Sequence, residues 1–441
     1  MDRTTAGDPW EVLHGLPMGR RVTITSPSGQ TWTGTIVPHT ELSGERVVQL
    51  KLPSGYNAGL RVDPAYRIDV FPEERDLDRR EQGVTSPPDP TSPHPGGRWV
   101  ALLTTGGTIA SRVDYQTGGV RPVRDEREIL QFYPDLNQDG PVRVISVFDK
   151  LSEDIVPADW VTLAERIVAT FREGARGIVV AHGTDTLAFT ASALSFLLSN
   201  LPGPVVLVGA QRSPDRPSSD GASNLHAAVR LARAGEFGEV VVLMHAGLSD
   251  DRFAIHRATR VRKMHSSRRD AFQSRNAPPL GFVGPDTITW NEPVRPSHPN
   301  GLAVEGPLSG DAGLLWFYPG LRPEQGVAFV RGLRGLVVAG TGLGHVASAH
   351  FPWMREAVES GTVVVMTTQC LEGLADPFVY ATGRELLRAG VLYVDDLLPE
   401  TAYTKLLWAL GRSKNPAEVR ALMLRDRVGE FVRRHVVEGT S

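Results

Sequence analysis

The sequence predicts an α/β protein: a larger parallel-sheet domain and a smaller C-terminal α/β domain, preceded by a small all-β module. Three observations lead there. Apolar residues alternate with polar ones at period two within residues 18–71. From Trp99 onward, short apolar runs alternate with longer amphipathic stretches. A charged, proline-rich segment separates the two regimes. Short apolar strands with helices between them imply a parallel sheet covered on both faces.

Length and composition set the bounds. The chain has 441 residues, more than one ordinary domain holds. Its 41% hydrophobic and 22% charged residues suit a globular enzyme with large cores. A net charge of -3 argues against a protein whose main task is coating nucleic acid. A local basic patch stays open, with Arg260-Val261-Arg262-Lys263 and Arg268-Arg269 as the candidate. The one cysteine, Cys370, excludes an intramolecular disulfide and a cysteine-based metal site. It is expected to be a small buried apolar residue. The stretch from Met1 to Thr5 lacks the pattern of a signal peptide, and no apolar run reaches the ~18 residues of a membrane span. The expected location is cytoplasmic.

Element by element, residues 1–71 form the β module. Val22/Ile24, Trp32/Gly34/Ile36 and Val48/Leu50/Leu52 mark half-buried strands. Ser26-Pro27-Ser28-Gly29, Ser43-Gly44 and Pro53-Ser54-Gly55 supply turns. A small SH3-like barrel fits this spacing, with an irregular β sandwich as the alternative. Residues 72–98 carry Glu73-Glu74-Arg75-Asp76, Pro87-Pro88-Asp89-Pro90 and Pro93-His94-Pro95-Gly96-Gly97, and read as a linker. The larger domain spans 99–285, with strands at 100–103, 142–147, 177–181, 205–208 and 240–244. Helices are expected at 158–173, 187–198 and 223–234. Residues 286–325, interrupted by Pro293, Pro296, Pro299 and Pro319, read as a flap and connector. The smaller domain, 326–441, repeats the alternation: strands at 335–338 and 363–366, helical stretches at 345–359, 383–389 and 400–410.

In open α/β sheets the chemistry gathers beyond the carboxyl ends of the strands. The segments there are Thr104-Thr105-Gly106-Gly107-Thr108-Ile109-Ala110, His182-Gly183-Thr184-Asp185-Thr186, and Gly209-Ala210-Gln211-Arg212 with Ser219-Asp220-Gly221 following. A glycine pair lets backbone approach a ligand and presents the next side chain, Thr108. Each residue also has a bland role. Thr108 alone would be a helix N-cap, Lys263 a solvated charge, Ser152 with Asp154 a turn, and His182 a packed core histidine. Dinucleotide, serine-hydrolase and zincin motifs are missing from the sequence: Gly340-Thr341-Gly342-Leu343-Gly344 has the wrong spacing for the first. His245, His256 and His265 share no metal-ligand spacing, so no metal and no cofactor are assigned.

Taken together, these segments, with Tyr115 in a loop beside Gly118-Gly119 and Lys263 in Arg262-Lys263-Met264-His265, resemble the L-asparaginase/glutaminase family. The run from Ala258 to Phe272, Thr382-Gly383-Arg384 and Leu398-Pro399-Glu400-Thr401-Ala402-Tyr403 look closest to its branch of archaeal glutamyl-tRNA(Gln) amidotransferase D subunits. That branch also carries a small β domain before an asparaginase-like two-domain α/β core.

The resemblance implies an amidohydrolase that cleaves a side-chain carboxamide of glutamine or asparagine and releases ammonia. Thr108 would be the nucleophile of an acyl-enzyme, and Tyr115 would sit on a loop closing over it. Thr184, Asp185 and Lys263 would be the second catalytic group. Ser152, Glu153 and Asp185, with Gly107 and Ala210, would hold the substrate. A threonine hydroxyl needs a base within hydrogen-bond reach, and a lysine amine relayed through Thr184 would serve. The implied partners are a small amino-acid or peptide amide, a second copy of the chain in a dimer, and an amidotransferase subunit with tRNA.

Three other functions stay open: a stand-alone cytoplasmic asparaginase, an enzyme acting on an asparagine-type group in a peptide, and a non-catalytic tRNA-associated assembly subunit. Two departures bear on substrate choice. Gly340-Thr341-Gly342-Leu343 lacks the asparagine of the secreted enzymes' Gly-Asn-Gly-Asn, and Glu372-Gly373-Leu374-Ala375-Asp376-Pro377-Phe378 differs from the amidotransferase pattern.

Overall fold

A computed structural model of the chain describes residues 8–37, 46–52, 57–71, 99–106, 111–113, 120–122, 133–138, 140–212 and 219–432. The front module is helix α1 (Pro9–Gly15) and strands β1 (Arg21–Thr25), β2 (Thr31–Val37), β3 (Val47–Lys51), β4 (Asn57–Arg61) and β5 (Arg67–Val70). They form one antiparallel sheet in the order β4-β3-β2-β1-β5. Val22, Ile24, Ile36, Val48, Leu50, Val62 and Ile68 bury one face beneath Leu13 of α1. The period-two pattern is therefore the inward face of this sheet. Closure into a barrel does not follow from the pairing, because β4 and β5 are its two edges.

The larger domain contains β6 (Val100–Thr104), β7 (Ser111–Val113), β8 (Val120–Pro122), β9 (Val142–Ser146), β10 (Gly177–Ala181), β11 (Leu198–Ser199), β12 (Val205–Val208) and β13 (Val240–His245). It continues with β14 (Phe253–Arg257), β15 (Val261–Lys263), β16 (Phe272–Ser274), β17 (Gly281–Val283) and β18 (Ile288–Trp290). Eight of these make one sheet, β18-β17-β14-β13-β12-β10-β6-β9. β9, β6, β10, β12 and β13 run parallel, and β14, β17 and β18 are added antiparallel.

Helices α2 (Pro157–Arg172) and α3 (Leu187–Leu197) cover one face, and α4 (Gly221–Ala234) the other. Within β6, Ala101 and Leu103 pack toward α2 and α3 while Val100 and Leu102 pack toward α4. Both faces are dry, so these strands read as unbroken apolar runs. The antiparallel strands escape the sequence pattern: β15 to β18 have only three residues each, and polar residues in β15, β16 and β18 hide any alternation.

The smaller sheet is β20 (Ala312–Trp316), β21 (Gly335–Gly340), β22 (Val363–Thr368) and β23 (Leu392–Tyr393), all parallel in that order. Before it, β19 (Ala303–Val304) pairs with β11. Helices α5 (Pro323–Val330), α6 (Phe351–Glu359) and α7 (Ala381–Arg388) precede α8 (Pro399–Arg412) and α9 (Pro416–Leu424). Residues 286–325, expected as a connector, thus supply β18, β19 and the edge strand β20. The surrounding prolines mask the apolar run Gly313-Leu314-Leu315-Trp316.

Helix α8 lies between the domains. Its Leu406 and Trp408 pack in the smaller core, while Leu407 reaches the larger one. Ser192 and Thr404 share a 2.7 Å hydrogen bond across the α3–α8 contact. The chain beyond α9 folds back over α8. Glu430 meets Lys405 at 2.6 Å with both side chains fully buried, and Lys405 Nζ also donates to the Arg425 carbonyl at 2.8 Å.

Candidate active site

Three parallel strands end side by side, and glycines let their following segments interlock. After β6, Thr105 donates both its amide and its hydroxyl to the Ala181 carbonyl at the end of β10, at 3.1 and 3.0 Å. Its own carbonyl accepts from Lys150 N at 3.1 Å. Gly106 follows with φ +97°, and a Cβ there would stand 2.3 Å from the Lys150 carbonyl oxygen. Only glycine meets both conditions. After β10, a Cβ on Gly183 would stand 2.7 Å from Ser152 Cβ. After β12, a Cβ on Gly209 would stand 2.7 Å from Thr184 Cγ2.

This packing fixes several of the residues expected in the site. Ser152 opens a short turn, Ser152–Asp154, and is buried, while Glu153 beside it is exposed. The Thr186 hydroxyl donates to the Ser152 carbonyl at 2.6 Å, tying that turn to the segment after β10. Thr184 and Ala210 are buried. Gly107, Thr108 and Tyr115 lie outside the described residues.

Lys263 comes from a different direction. It is the last residue of β15, which pairs with β16 in an antiparallel hairpin, Lys263 opposite Phe272. Its Nζ donates to Thr184 Oγ1 at 2.8 Å and to Asp185 Oδ1 at 2.8 Å. The Lys263 side chain is 13% exposed and that of Asp185 69%. The amine thus reaches a buried hydroxyl on one side and a solvent-facing carboxylate on the other.

Similarity to known proteins decides the family. Residues 99–295 match the profile described as Asparaginase, N-terminal, and residues 313–423 the Glutaminase/Asparaginase C-terminal domain. Residues 16–71 match the GatD N-terminal domain. Among curated proteins, the chain is 41% identical to the glutamyl-tRNA(Gln) amidotransferase D subunit of Saccharolobus solfataricus, covering 99% of this chain and 98% of that one. The corresponding D subunit of Metallosphaera sedula is 43% identical, with 89% and 88% covered. Among solved structures, the thermostable L-asparaginase of Thermococcus kodakarensis has a TM-score of 0.70 at 35% identity, covering 76% of this chain and 99% of that one. The L-asparaginase I of Vibrio cholerae gives 0.64 at 28% identity, with 76% and 99% covered.

The chain belongs to the asparaginase family. It is an amidohydrolase acting on linear amides, with the asparaginase-like two-domain α/β fold.

Behind the Ala210 segment of this asparaginase fold lies a largely buried polar chain, of which sequence reasoning singled out only Asp220. Asp220 accepts from the amides of Gln211 and Arg212, each at 3.0 Å, and from Asn224 Nδ2 at 3.1 Å. Asn224 Nδ2 also donates to the Gly209 carbonyl at 3.0 Å, and Asn224 Oδ1 accepts from His245 Nδ1 at 2.7 Å. His245 Nε2 meets Asp250 Oδ1 at 2.8 Å. Burial works against the Asp250 charge, but hydrogen bonds from His245, Ser223 and Arg269 hold its carboxyl below the usual range. The signal available was Asn224 four residues after Asp220, which puts both on one helix face.

His182 is fully buried, its Nδ1 2.6 Å from the Gly183 carbonyl and its Nε2 2.8 Å from the Thr190 hydroxyl. That hydroxyl also accepts from Trp160 Nε1 at 2.9 Å. Burial pushes the imidazole down to about 4, so it is a neutral packing residue at pH 7.

Two expectations need correction. The candidate basic patch is spoken for, because each of its arginines faces a carboxylate: Arg260 Asp396 at 2.6 Å, Arg262 Glu400 at 3.1 Å, Arg268 Asp270 at 2.6 Å and Arg269 Asp250 at 3.0 Å. Cys370 is exposed rather than buried, because it lies two residues past the end of β22, where its amide donates to Thr368 Oγ1. Among the described residues no three His, Cys, Asp or Glu side chains cluster as metal ligands, and no helix is long and apolar enough to cross a membrane.

Proposed function

We propose that this chain is the glutaminase-type subunit of a glutamyl-tRNA(Gln) amidotransferase, supplying ammonia to a partner subunit. The observation that carries the catalytic part is the Lys263 amine, 2.8 Å from both the Thr184 hydroxyl and the Asp185 carboxylate. Similarity to amidotransferase D subunits along 99% of the chain, front module included, supports the amidotransferase part.

In this reading the Thr108 hydroxyl attacks the carboxamide carbon of glutamine. Lys263, through Thr184, accepts a proton as the nucleophile forms, and a backbone N–H beside Thr108 or Thr184 holds the oxyanion. The C–N bond breaks, ammonia leaves with a proton, and the acyl group stays on Thr108 as an ester. Water cleaves that ester, releasing the free acid and restoring the hydroxyl. Ser152, Glu153 and Asp185 receive the substrate's α-carboxylate and α-amino groups, with Gly107 and Ala210 lining the cleft and Tyr115 closing over it. The working form is a cytoplasmic homo-oligomer, a dimer by family resemblance.

The test is ammonia release from glutamine and from asparagine, with the chain alone and with its amidotransferase partner. Glutamine preference, with release raised by the partner, is the expected result. Asparagine preference indifferent to the partner would instead favour a stand-alone asparaginase, the reading to which the Thermococcus neighbour points. Thr108→Ala is expected to abolish release. Activity within about tenfold of the parent, a barrier change of only ~1.4 kcal/mol, would remove the threonyl mechanism.

A further inference from the structure

We propose that the buried Arg260–Asp396 ion pair, with Arg262–Glu400 beside it, is a clamp by which the C-terminal domain positions Lys263. The inference rests on Lys263 acting at Thr184 as proposed above.

The clamp grips the foot of the lysine hairpin. The Arg260 and Asp396 side chains are 2% and 0% exposed, and Arg260 Nη1 donates to Asp396 Oδ2 at 2.6 Å and to the Asp396 carbonyl at 3.2 Å. A buried guanidinium cannot drift without stranding its carboxylate, so this pair tolerates little displacement. Arg260 stands three residues before Lys263, immediately ahead of β15. On one side of it the Thr259 carbonyl accepts from Thr401 Oγ1 at 2.8 Å; on the other, Arg262 Nε meets Glu400.

The second arm of the hairpin is fastened to the same domain. Arg275 N donates to the Arg260 carbonyl at 2.8 Å. Asn276 Nδ2 donates to the carbonyls of Gly373 and Asp396, at 3.0 and 3.3 Å. Asp396 is itself held by Val432 N, 3.2 Å from Oδ2. With Arg275 also paired to Glu372 at 2.6 Å, both feet of the hairpin stand on residues 372–373, 396 and 400–401, while Lys263 crosses to the strand ends of the larger domain. In such an arrangement a small shift at the feet moves the amine away from Thr184, and misplacement by about 1 Å costs up to ~10²-fold in rate.

The experiment is a mutant cycle on glutamine hydrolysis, with thermal melts confirming a folded chain. Asp396→Asn is expected to lower kcat by about tenfold or more with KM little changed, and Glu400→Gln by a smaller factor. In a Lys263→Met background, Asp396→Asn is expected to have no further effect, because a positioning residue acts only through the group it positions. If Asp396→Asn does not fold, the charge-free pair Arg260→Met with Asp396→Leu takes its place, and Glu400→Gln gives an independent reading. An equal drop in both backgrounds, or an unchanged kcat in a folded Asp396 variant, would overturn the clamp. Lys263→Met with parental kcat would instead remove the role given to Lys263, and the clamp with it.

Discussion

Lys263 shows why a residue's company matters more than its type. In sequence it stands in Arg260-Val261-Arg262-Lys263, a run that alone suggests solvated charge. In space its two arginine neighbours turn to carboxylates of the C-terminal domain, and the lysine alone reaches the strand ends. Lys263→Met is expected to lower turnover by at least ~10²-fold, the low end for loss of general-base assistance. Unaltered turnover at neutral pH in the purified variant would make Lys263 a spectator. The meeting of Lys263 with Thr184 and Asp185 was legible because each lies within a signature segment. Asn224 offered only its four-residue spacing from Asp220, and His245 offered none, because it joins the chain from a separate strand.

At the scale of elements, the segment following β10 carries an acid-sensitive joint. Unfolded histidine titrates near 6.5, whereas burial pushes His182 down to about 4. Between these values the unfolded chain binds a proton that the folded chain refuses. The contribution is therefore full above about pH 6.5 and falls as pH drops toward 4, by on the order of 3 kcal/mol. His256, pushed down to about 3 by burial and then by Arg275, acts in the same sense. A His182→Gln chain is expected to lose less melting temperature than the parent between pH 7.5 and 4.5. Equal losses would show that His182 contributes nothing to the acid response. The parallel strands were legible for the same reason this joint exists, since both sheet faces are dry and the apolar runs are unbroken. Strands β14 to β18 and β20 were obscured by their shortness, by polar residues and by nearby prolines.

For the whole molecule, the candidate residues all lie in the larger α/β domain, and the front sheet has a core of its own beneath α1. Residues 1–71 are therefore expected to serve the biological partner rather than the chemistry. A chain beginning at Arg98 is expected to fold and hydrolyse the small amide at the parental rate while losing association with its partner. Small-amide turnover and partner capture, measured side by side, check this. Loss of turnover in a folded truncated chain would place the module in the active site.

The return of residues 425–432 over α8 also imposes a timetable on synthesis. Chains emerge from the ribosome N-terminus first, at roughly 5–20 residues per second. When Lys405 is joined to the growing chain its counter-ion Glu430 has not yet been added, and Asp396 still lacks the amide of Val432. Every strand of both α/β sheets has by then been translated. If Asp396 clamps the lysine hairpin, the last residues to be added include one that holds the clamp. A chain ending at Arg425 would carry every strand and helix described above, yet leave Lys405 without its carboxylate and Asp396 without the Val432 amide.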